Sequence, residues 1–457
     1  MREKTIEQGY LDFSRKSTVK VVQEYRRKYE AISEVLEANP RILNLAHEDF
    51  SKGLSKSEGG RKGYTSEQIL RAVIVMFIEG DSYRDVVVRI ENSEFSQGFV
   101  KLGNLSMMDY TFLCKAYGVL KKETWQSMNE ALSGYARKEE KITEEKVRVD
   151  TTVYETNIHY PTDSSLLWDS FRTLSRLMKQ VPEDMKAAGL RHRFHVKKVK
   201  KLANYISRNC DRKDKGTQRK IKSVYRELID RVNWIAGVGR TAGIILTESS
   251  LKATTVAAEL KHYVPIVEKI TAQAESRVFR GEMVSSEKKV YSLFEEHTEL
   301  IKRGKAGKPI EFGHKVLLAE TGEKFILHYN ALPKLQADTA LIKETMKAHR
   351  KIFGRAPEVL AADKGFYESR EQIKKLSDKI EMVSICKKGR RTEEEDRRES
   401  TGAFKAGQRF RAGIEGTISV LKRAFKLKRC LFKGFKNYAA SLGCAVFCHN
   451  LVLLAGL

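Results

Sequence analysis

Hydrophobic residues recur at helical spacing through the first part of the chain. A period of three to four predicts one or two helices over residues 15–50. Thr65–Gln68 has the form of a capping box ahead of another apolar run, and further short helices follow. This succession predicts an N-terminal helical region over 1–145, helix-turn-helix-like over about 65–120. The pattern fits DNA binding and a dimerisation bundle equally well.

Two acidic residues lie in or at the end of short apolar strands. Asp150 is part of a β-branched run over residues 146–154 that predicts a buried strand. Asp363 ends the apolar run 358–363, and a glycine turn follows. Ligand-binding groups in open α/β sheets gather at such carboxyl ends of strands. Each aspartate by itself is equally typical of a strand-end cap or a turn.

A third acid, Glu415, lies in a stretch that reads as one helix over residues 409–423. Ile414, Ile418 and Leu421 would form its apolar stripe, while Arg411, Glu415 and Lys422 would share a second stripe. An exposed ion pair on an ordinary amphipathic helix is the simpler interpretation of that second stripe. Together, however, two strand acids and one helix acid can converge on two divalent metal ions, which take hard oxygen ligands and serve phosphoryl displacement.

These three stretches resemble the bacterial insertion-sequence DDE transposases, whose retroviral-integrase-like catalytic domain has an RNase H-like fold, and they occur in the family's order. The helix signature of that family is Tyr, two residues, Arg, three residues, Glu, six residues and Lys. Arg411, Glu415 and Lys422 fit this signature. Gln408 stands at the tyrosine position, so the DNA contact of that tyrosine is not implied here.

The resemblance implies a transposase that binds the ends of its insertion sequence, cleaves them as an endonuclease and joins the 3′ ends to target DNA. It implies three catalytic acids that hold two Mg²⁺ ions, or Mn²⁺ in their place: Asp150, Asp363 and Glu415. Arg411 and Lys422 would neutralise phosphates near the cleaved end, with Lys364 as a further candidate. Synapsis of two ends implies a homodimer on double-stranded DNA.

The charge of the chain agrees with a nucleic-acid partner. Lys and Arg number 85 against 59 Asp and Glu, a formal net charge of +26 over 457 residues. The excess is spread along the chain, which predicts a polyanion partner, most simply DNA, although charge alone also permits RNA or an anionic membrane surface. Six cysteines without a CxxC motif predict a reducing compartment and no structural zinc.

Residues 161–310 lack strand alternation and read as a basic, all-helical insert. Between Phe171 and Arg226 there are 18 Lys or Arg and four Asp or Glu. Such an excess is hard to explain without phosphates to neutralise it, so we expect DNA contacts from the insert. Four basic residues near the middle of this run are the candidates: Arg193, Lys197, Lys198 and Lys201.

The fold class that follows is α/β. A hairpin over residues 311–329 and two further strand and helix pairs complete the sheet begun by residues 146–160. The polar stretch 387–408 reads as a mobile loop. We therefore expect an RNase H-like mixed sheet flanked by helices, formed by 146–160 and 311–457, interrupted by the large all-α insert and preceded by the N-terminal helical domain.

The last 19 residues, 439–457, carry no formal charge and are just long enough for a membrane span. Polar residues within them and the resemblance favour a helix buried against the sheet over a tail anchor. The first residues contain no apolar run typical of a signal peptide, so we expect a cytoplasmic, nucleoid-associated protein without a membrane partner. A metal-dependent nuclease without strand transfer and a catalytically silent DNA-binding descendant remain the alternatives.

Overall fold

The computed structural model describes residues 4, 17–52, 63–302, 309–334 and 336–456. The chain divides into two compact units. Unit 1 comprises residues 1–155 and 314–457, and unit 2 comprises residues 156–313. The predicted N-terminal region and the predicted catalytic region therefore belong to one unit.

Seven helices and one strand form the first part of unit 1. The helices are α1 (Lys20–Glu37), α2 (Pro40–Ser51), α3 (Ser66–Ile78), α4 (Tyr83–Glu91), α5 (Glu94–Val100), α6 (Tyr110–Tyr117) and α7 (Lys122–Lys138), and the strand is β1 (Lys146–Thr156). The predicted capping box is confirmed, because Thr65 Oγ1 accepts a hydrogen bond from the Gln68 backbone and the Gln68 side chain accepts one from Thr65. Helix α3 is buried over nearly its whole length.

Unit 2 is built mainly of helices. They are α8 (Asp163–Met178), α9 (Pro182–Ala187), α10 (Val196–Asn209), α11 (Lys215–Ile245) and α12 (Leu251–Glu275), followed by a π-helical turn at Ser276–Arg280. Helix α11 packs against α8, α10 and α12 around an apolar core of its own. The prediction of an all-helical insert is wrong beyond residue 280, where the chain becomes extended and forms β2 (Glu299–Lys302). Cross-strand pairing there overrides local propensity.

The second part of unit 1 alternates strands and helices. In chain order they are β3 (Ile310–Thr321, whose first four residues belong to unit 2), β4 (Ile326–Ala331), α13 (Leu341–Phe353), β5 (Val359–Ala362), α14 (Arg370–Ser377), β6 (Met382–Ile385), α15 (Glu393–Ser400), α16 (Gly402–Ala412), α17 (Ile414–Ala424), β7 (Arg429–Cys430) and α18 (Phe435–Gly456). The predicted hairpin is confirmed as β3 and β4. So are the strand, helix and strand that follow it.

The strands of unit 1 form a mixed sheet. Their order is β4, β3, β1, β5 and β6, with β7 beside β1. The pair β3 and β4 is antiparallel, whereas β5 is parallel to both β1 and β6. In unit 2, β2 pairs antiparallel with Ile310–Gly313 of β3. The α/β class predicted from the sequence is confirmed by this mixed sheet and its flanking helices.

Residues 387–408, predicted as a mobile loop, instead contain α15 and the start of α16. The Thr392 and Glu395 capping box and four acids in the first turn favour the N-terminal end of α15. Glu395 is buried and pairs with Lys387 and Arg370, each at 2.8 Å. The loop prediction was wrong because charged residues that look solvated in sequence satisfy one another and the helix ends.

The closing helix α18 lies in the core of unit 1, as the sequence predicted. By length and composition it could cross a membrane, yet 78% of its most apolar 18-residue window is buried inside the protein. It packs against α1, α3, α7 and β4. Asn450 is fully buried there, where its Nδ2 donates to the Ile326 carbonyl at 2.9 Å and its Oδ1 accepts from the Ile326 N–H at 3.0 Å. Cys444 and Cys448 are buried free thiols.

Candidate active site

The two strand aspartates lie in neighbouring register positions, Asp150 within β1 and Asp363 directly after the end of β5. β1 and β5 pair in a register that matches Val149 with Ala362. The next residues along the two strands are Asp150 and Asp363, and Asp363 keeps an extended backbone, with φ −69° and ψ 161°. Parallel neighbours are about 4.8 Å apart, and residues in register point to the same face of a sheet. The structure thus brings two of the three predicted acids together.

Asp150 is the more enclosed of the two. Its side chain is 18% exposed, and the backbone N–H of Thr151 donates to its Oδ1 at 2.7 Å. Asp363, one residue beyond the end of β5, is exposed. Lys364, the residue after it, is also exposed and opens a short 3₁₀ turn.

The guanidinium of Arg411 lies close to both Asp150 and the third acid, Glu415. Arg411 lies in the last turn of α16, and its Nη1 is 3.8 Å from Asp150 Oδ2 and 3.6 Å from Glu415 Oε1. The Glu415 side chain is 69% exposed. Arg411 therefore bridges the strand acid and the helix acid, in place of the isolated surface pair that the helix alone suggested.

The surroundings of Asp150 shift the pKa of its carboxyl group. Burial raises the pKa of Asp150 above its usual value, and the negative charges of Asp363 and Glu415 raise this pKa further. The Thr151 N–H and the Arg411 guanidinium act in the opposite direction. The two negative charges that raise the proton affinity of Asp150 also favour the binding of another cation beside it.

The fit to a divalent metal can be judged from these contacts. Carboxylates are the hard oxygen donors that Mg²⁺ and Mn²⁺ prefer, and Asp150 and Asp363 present two of them in register. Among the described residues, no three His, Cys, Asp or Glu side chains are close enough to form a metal site as they stand. Glu415 instead faces Arg411. The donor set suits a metal ion, provided that Glu415 exchanges its arginine partner for the aspartates.

The stretch predicted as a single helix over 409–423 is two helices that meet at Gly413. The apolar stripe is as predicted, with Ile414 and Leu421 fully buried and Ile418 partly buried against the core. The residue at the tyrosine position, Gln408, is hydrogen-bonded to Ser384 of β6. Its Nε2 donates to the carbonyl of Ser384 at 2.7 Å and to the Ser384 hydroxyl at 3.1 Å, which fastens α16 to β6.

The remaining DNA-binding candidates fall into two groups. Lys422 is half-buried on α17, seven residues after Glu415 and so on the same side of that helix. The four candidates of unit 2 are exposed in or just before α10: Arg193, Lys197, Lys198 and Lys201. Lys198 forms an ion pair with Glu227 at 2.9 Å. The buried face of α10 consists of Val199, Ala203 and Ile206, so its lysines lie on the opposite, solvated side.

The sequence did not predict the buried ion pair between Glu320 and Arg148, which lies two residues before Asp150 on β1. Arg148 and Glu320 are both buried, and the Arg148 Nε–H donates to a Glu320 carboxylate oxygen. The only signal in the sequence was a charged residue inside each of two apolar runs. Which charges meet depends on the pairing of strands far apart in the chain, which the sequence pattern does not specify.

A comparison with known families covers part of the chain. Residues 292–451 match the family described as the transposase DDE domain, a range that includes Asp363 and Glu415. No curated protein and no solved structure matches the chain. The match supports the resemblance to the insertion-sequence DDE transposases and covers the motifs around Asp363 and Glu415, whereas Asp150 lies outside the matched residues.

Proposed function

We propose that this protein binds the ends of its insertion sequence, cuts the DNA there and joins the freed 3′ ends to a target. The observation that carries the proposal is the register of β1 and β5, which sets Asp150 beside Asp363, together with Arg411, which links Asp150 to Glu415. Converging carboxylates are suited to hold the metal ions of a two-metal phosphodiester site. The net charge of +26 suits a DNA partner.

An RNase H-like arrangement of the sheet is part of this proposal. Three strands, β1, β3 and β4, come first in the chain if β2 is set aside, and β5 and β6 extend the sheet on the far side of β1. Asp150 lies within the central strand β1, and Asp363 directly follows its parallel neighbour β5. This order supports the fold that the resemblance implies.

The chain's own residues supply binding and positioning in the proposed mechanism. Asp150, Asp363 and Glu415 would hold two divalent ions, Mg²⁺ or Mn²⁺. When bound, these supply Lewis-acid activation of water or a 3′-hydroxyl and charge stabilisation at the leaving oxygen. Glu415 is exposed and helix-borne, so it can turn away from Arg411. Arg411 is then free to donate to a phosphate oxygen beside the cut, with Lys422 and Lys364 as further cations.

The surroundings of Asp150 act on its pKa in opposite directions. Burial holds Asp150 partly towards its neutral form, and the Thr151 N–H and Arg411 counteract this. The site therefore keeps a carboxylate available for a cation although it is mostly enclosed. Phosphate contacts position the DNA without reading its sequence, so end recognition belongs to other elements, for which we propose the exposed faces of α4 to α6 and of α10.

The test is a cleavage assay with the purified full chain. The substrate is a labelled duplex carrying the DNA that flanks the gene, supplied as two ends, with Mg²⁺ or with EDTA. We expect cleavage that needs the metal and is lost in Glu415→Gln and Asp150→Asn. Glu371→Gln is the matched control, because Glu371 also pairs at i,i+4 with a cation, Lys375, but on α14, which carries none of the three acids.

Two results would overturn the full proposal in different ways. Cutting without joining of a pre-cut 3′ end to target DNA would leave a metal-dependent nuclease. Tight, salt-sensitive binding without cutting, in Mg²⁺ and in Mn²⁺, would leave a silent DNA-binding protein.

A further inference from the structure

The buried arginine Arg148 lies on the catalytic strand itself. It precedes Asp150 by two residues on β1, so both side chains point to the same face of the sheet. Arg148 is 5% exposed and its partner Glu320, on the neighbouring strand β3, is fully buried. Burial raises the pKa of Glu320, whereas Arg148 and the hydroxyl of Thr417 lower it. Thr417 follows Glu415 by two residues on α17.

The other end of the guanidinium contacts the helix pair that carries Glu415. Arg148 Nη1 donates to the Phe410 carbonyl at 2.8 Å, and its Cζ lies 4.7 Å from the centre of the Phe410 ring. Phe410 is in the last turn of α16, next to Arg411. One planar group thus joins β1, β3 and the end of α16.

The junction between α16 and α17 is fitted closely to this guanidinium. A Cβ placed on Gly413 would lie 2.1 Å from Arg148 Nη1, much closer than any non-bonded contact allows. Only glycine leaves room for the arginine here. Glu415 follows two residues later, at the start of α17.

We propose that Arg148 is the positioning residue of this site, which sets the distance between Asp150 and the helix that presents Glu415. The inference rests on the proposed function, since it concerns how the same acids are held. A buried ion pair adds little stability over an apolar pair, so stability alone does not account for an arginine at this position. A guanidinium can bind a carboxylate and a carbonyl in fixed directions at once, which a lysine cannot.

Two variants at Arg148 distinguish the effect of its positive charge from the effect of its hydrogen-bond directions. Arg148→Lys keeps a positive charge beside Glu320. It loses the guanidinium group that also donates a hydrogen bond to the Phe410 carbonyl in a fixed direction. The double variant Arg148→Met with Glu320→Gln removes the pair without leaving a lone buried charge, so that it folds even where Arg148→Met alone does not.

Unit 1 offers a close control pair, Arg71 and Glu67. Arg71 is 1% exposed and its Nε donates to Glu67 at 3.0 Å. Its Nη1 donates to the Phe99 carbonyl at 3.2 Å, and its Cζ lies 5.1 Å from the Phe99 ring centre. The same chemistry therefore occurs between N-terminal helices that carry none of the three acids. Arg71→Met with Glu67→Gln matches the double variant at Arg148.

The measurement is Mn²⁺ binding to the full chain by isothermal titration, beside the DNA cleavage assay. We expect both Arg148 variants to bind Mn²⁺ about tenfold or more weakly, the usual scale for groups that orient metal ligands. Their kcat for cleavage should fall while KM for DNA stays unchanged. The Arg71 control should bind Mn²⁺ like the wild type even though it unfolds at a lower temperature.

Several outcomes would overturn the inference. Wild-type Mn²⁺ affinity in either Arg148 variant would do so, as would an equally weakened affinity in the Arg71 control. A wild-type protein that binds no Mn²⁺ through Asp150, tested with Asp150→Asn, would overturn the proposed function and the inference with it. A wild-type protein that binds Mn²⁺ but does not cut DNA would overturn the proposed function only, because the Mn²⁺ affinities still decide the role of Arg148.

Discussion

The guanidinium of Arg411 lies 3.8 Å from the carboxylate of Asp150, a residue on a different element and more than 250 positions earlier in the chain. The same nitrogen lies 3.6 Å from Glu415, its neighbour one helical turn away. Arg411 therefore occupies the position from which a cation acts on both acids at once.

This position gives a pH-dependent prediction. Arg411 lowers the pKa of Asp150 against the larger effect of burial, so Arg411→Met should raise that pKa further. Metal binding requires the ionised carboxylate. The midpoint of the Mn²⁺ affinity against pH should therefore move to higher pH in Arg411→Met, as titration at a series of pH values will measure.

The control is Arg409→Met, an exposed cation on the same helix. It should leave the midpoint unchanged. A shift towards lower pH in Arg411→Met, or an equal shift in both variants, would contradict the electrostatic role of Arg411.

A second prediction compares Gly413, where α16 and α17 meet, with Gly416 inside α17. Gly413→Ala places a methyl group against Arg148 and should lower the free energy of unfolding by about 2 kcal/mol, the usual cost of overpacking. Gly416→Ala, three residues later, meets no atom within 4 Å and lies inside α17. It should raise stability by about 0.5–1 kcal/mol through helix propensity. Urea unfolding of both variants measures the contrast, and equal effects would show that the contact with Arg148 is absent in solution.

A third prediction tests whether α18 is a core helix or a membrane anchor. Asn450→Leu makes α18 more apolar, which an anchor would tolerate well. In the fold described here the change removes both hydrogen bonds to the backbone of Ile326, so it should cost about 2 kcal/mol or more. Chemical denaturation gives the stability, and fractionation without detergent gives the location. An unchanged stability together with membrane association would contradict the buried position of α18.

A fourth prediction concerns the exposed face of α10. Changing Arg193, Lys197 and Lys201 together to Gln should weaken DNA binding at low salt. It should also reduce the slope of log K against log salt by about 0.9 for each phosphate that the variant no longer neutralises. Binding measured by fluorescence anisotropy over a range of salt concentrations tests this.

Lys252→Gln with Lys269→Gln supplies the comparison, since both lysines are exposed on α12 of the same unit. Lys198→Gln should have a smaller effect than its neighbours, because Lys198 already pairs with Glu227. If the affinity of the α12 variant fell as far as that of the α10 variant, general charge and not α10 would account for binding.

The three acids could be predicted as site candidates from the sequence because each stands at a recognisable place in a local pattern. Asp150 and Asp363 interrupt or end apolar strands, and Glu415 belongs to a helix signature. Their mutual arrangement could not be found in this way. The register that matches Val149 with Ala362 joins segments separated by an entire second unit, and local periodicity contains no information on such a pairing.

The errors have a common physical origin. Helix α15 was missed because its charges looked solvated, although Glu395 and Glu399 are buried among basic partners. The single helix predicted around Glu415 is divided at Gly413, the residue against which the guanidinium of Arg148 on β1 lies. The strand β2 forms only because Ile310–Gly313 lies beside it. In each place a tertiary contact outweighed the local preference.

The packing of α18 against α1, α3 and α7 has a consequence for synthesis of the protein. Helices that leave the ribosome first have no completed core until residues 435–456 have also emerged. Glu415 has been made by then, so the candidate site and the core of unit 1 are completed at nearly the same moment. A chain interrupted before α18 would leave its early helices with exposed apolar faces and open to proteolysis.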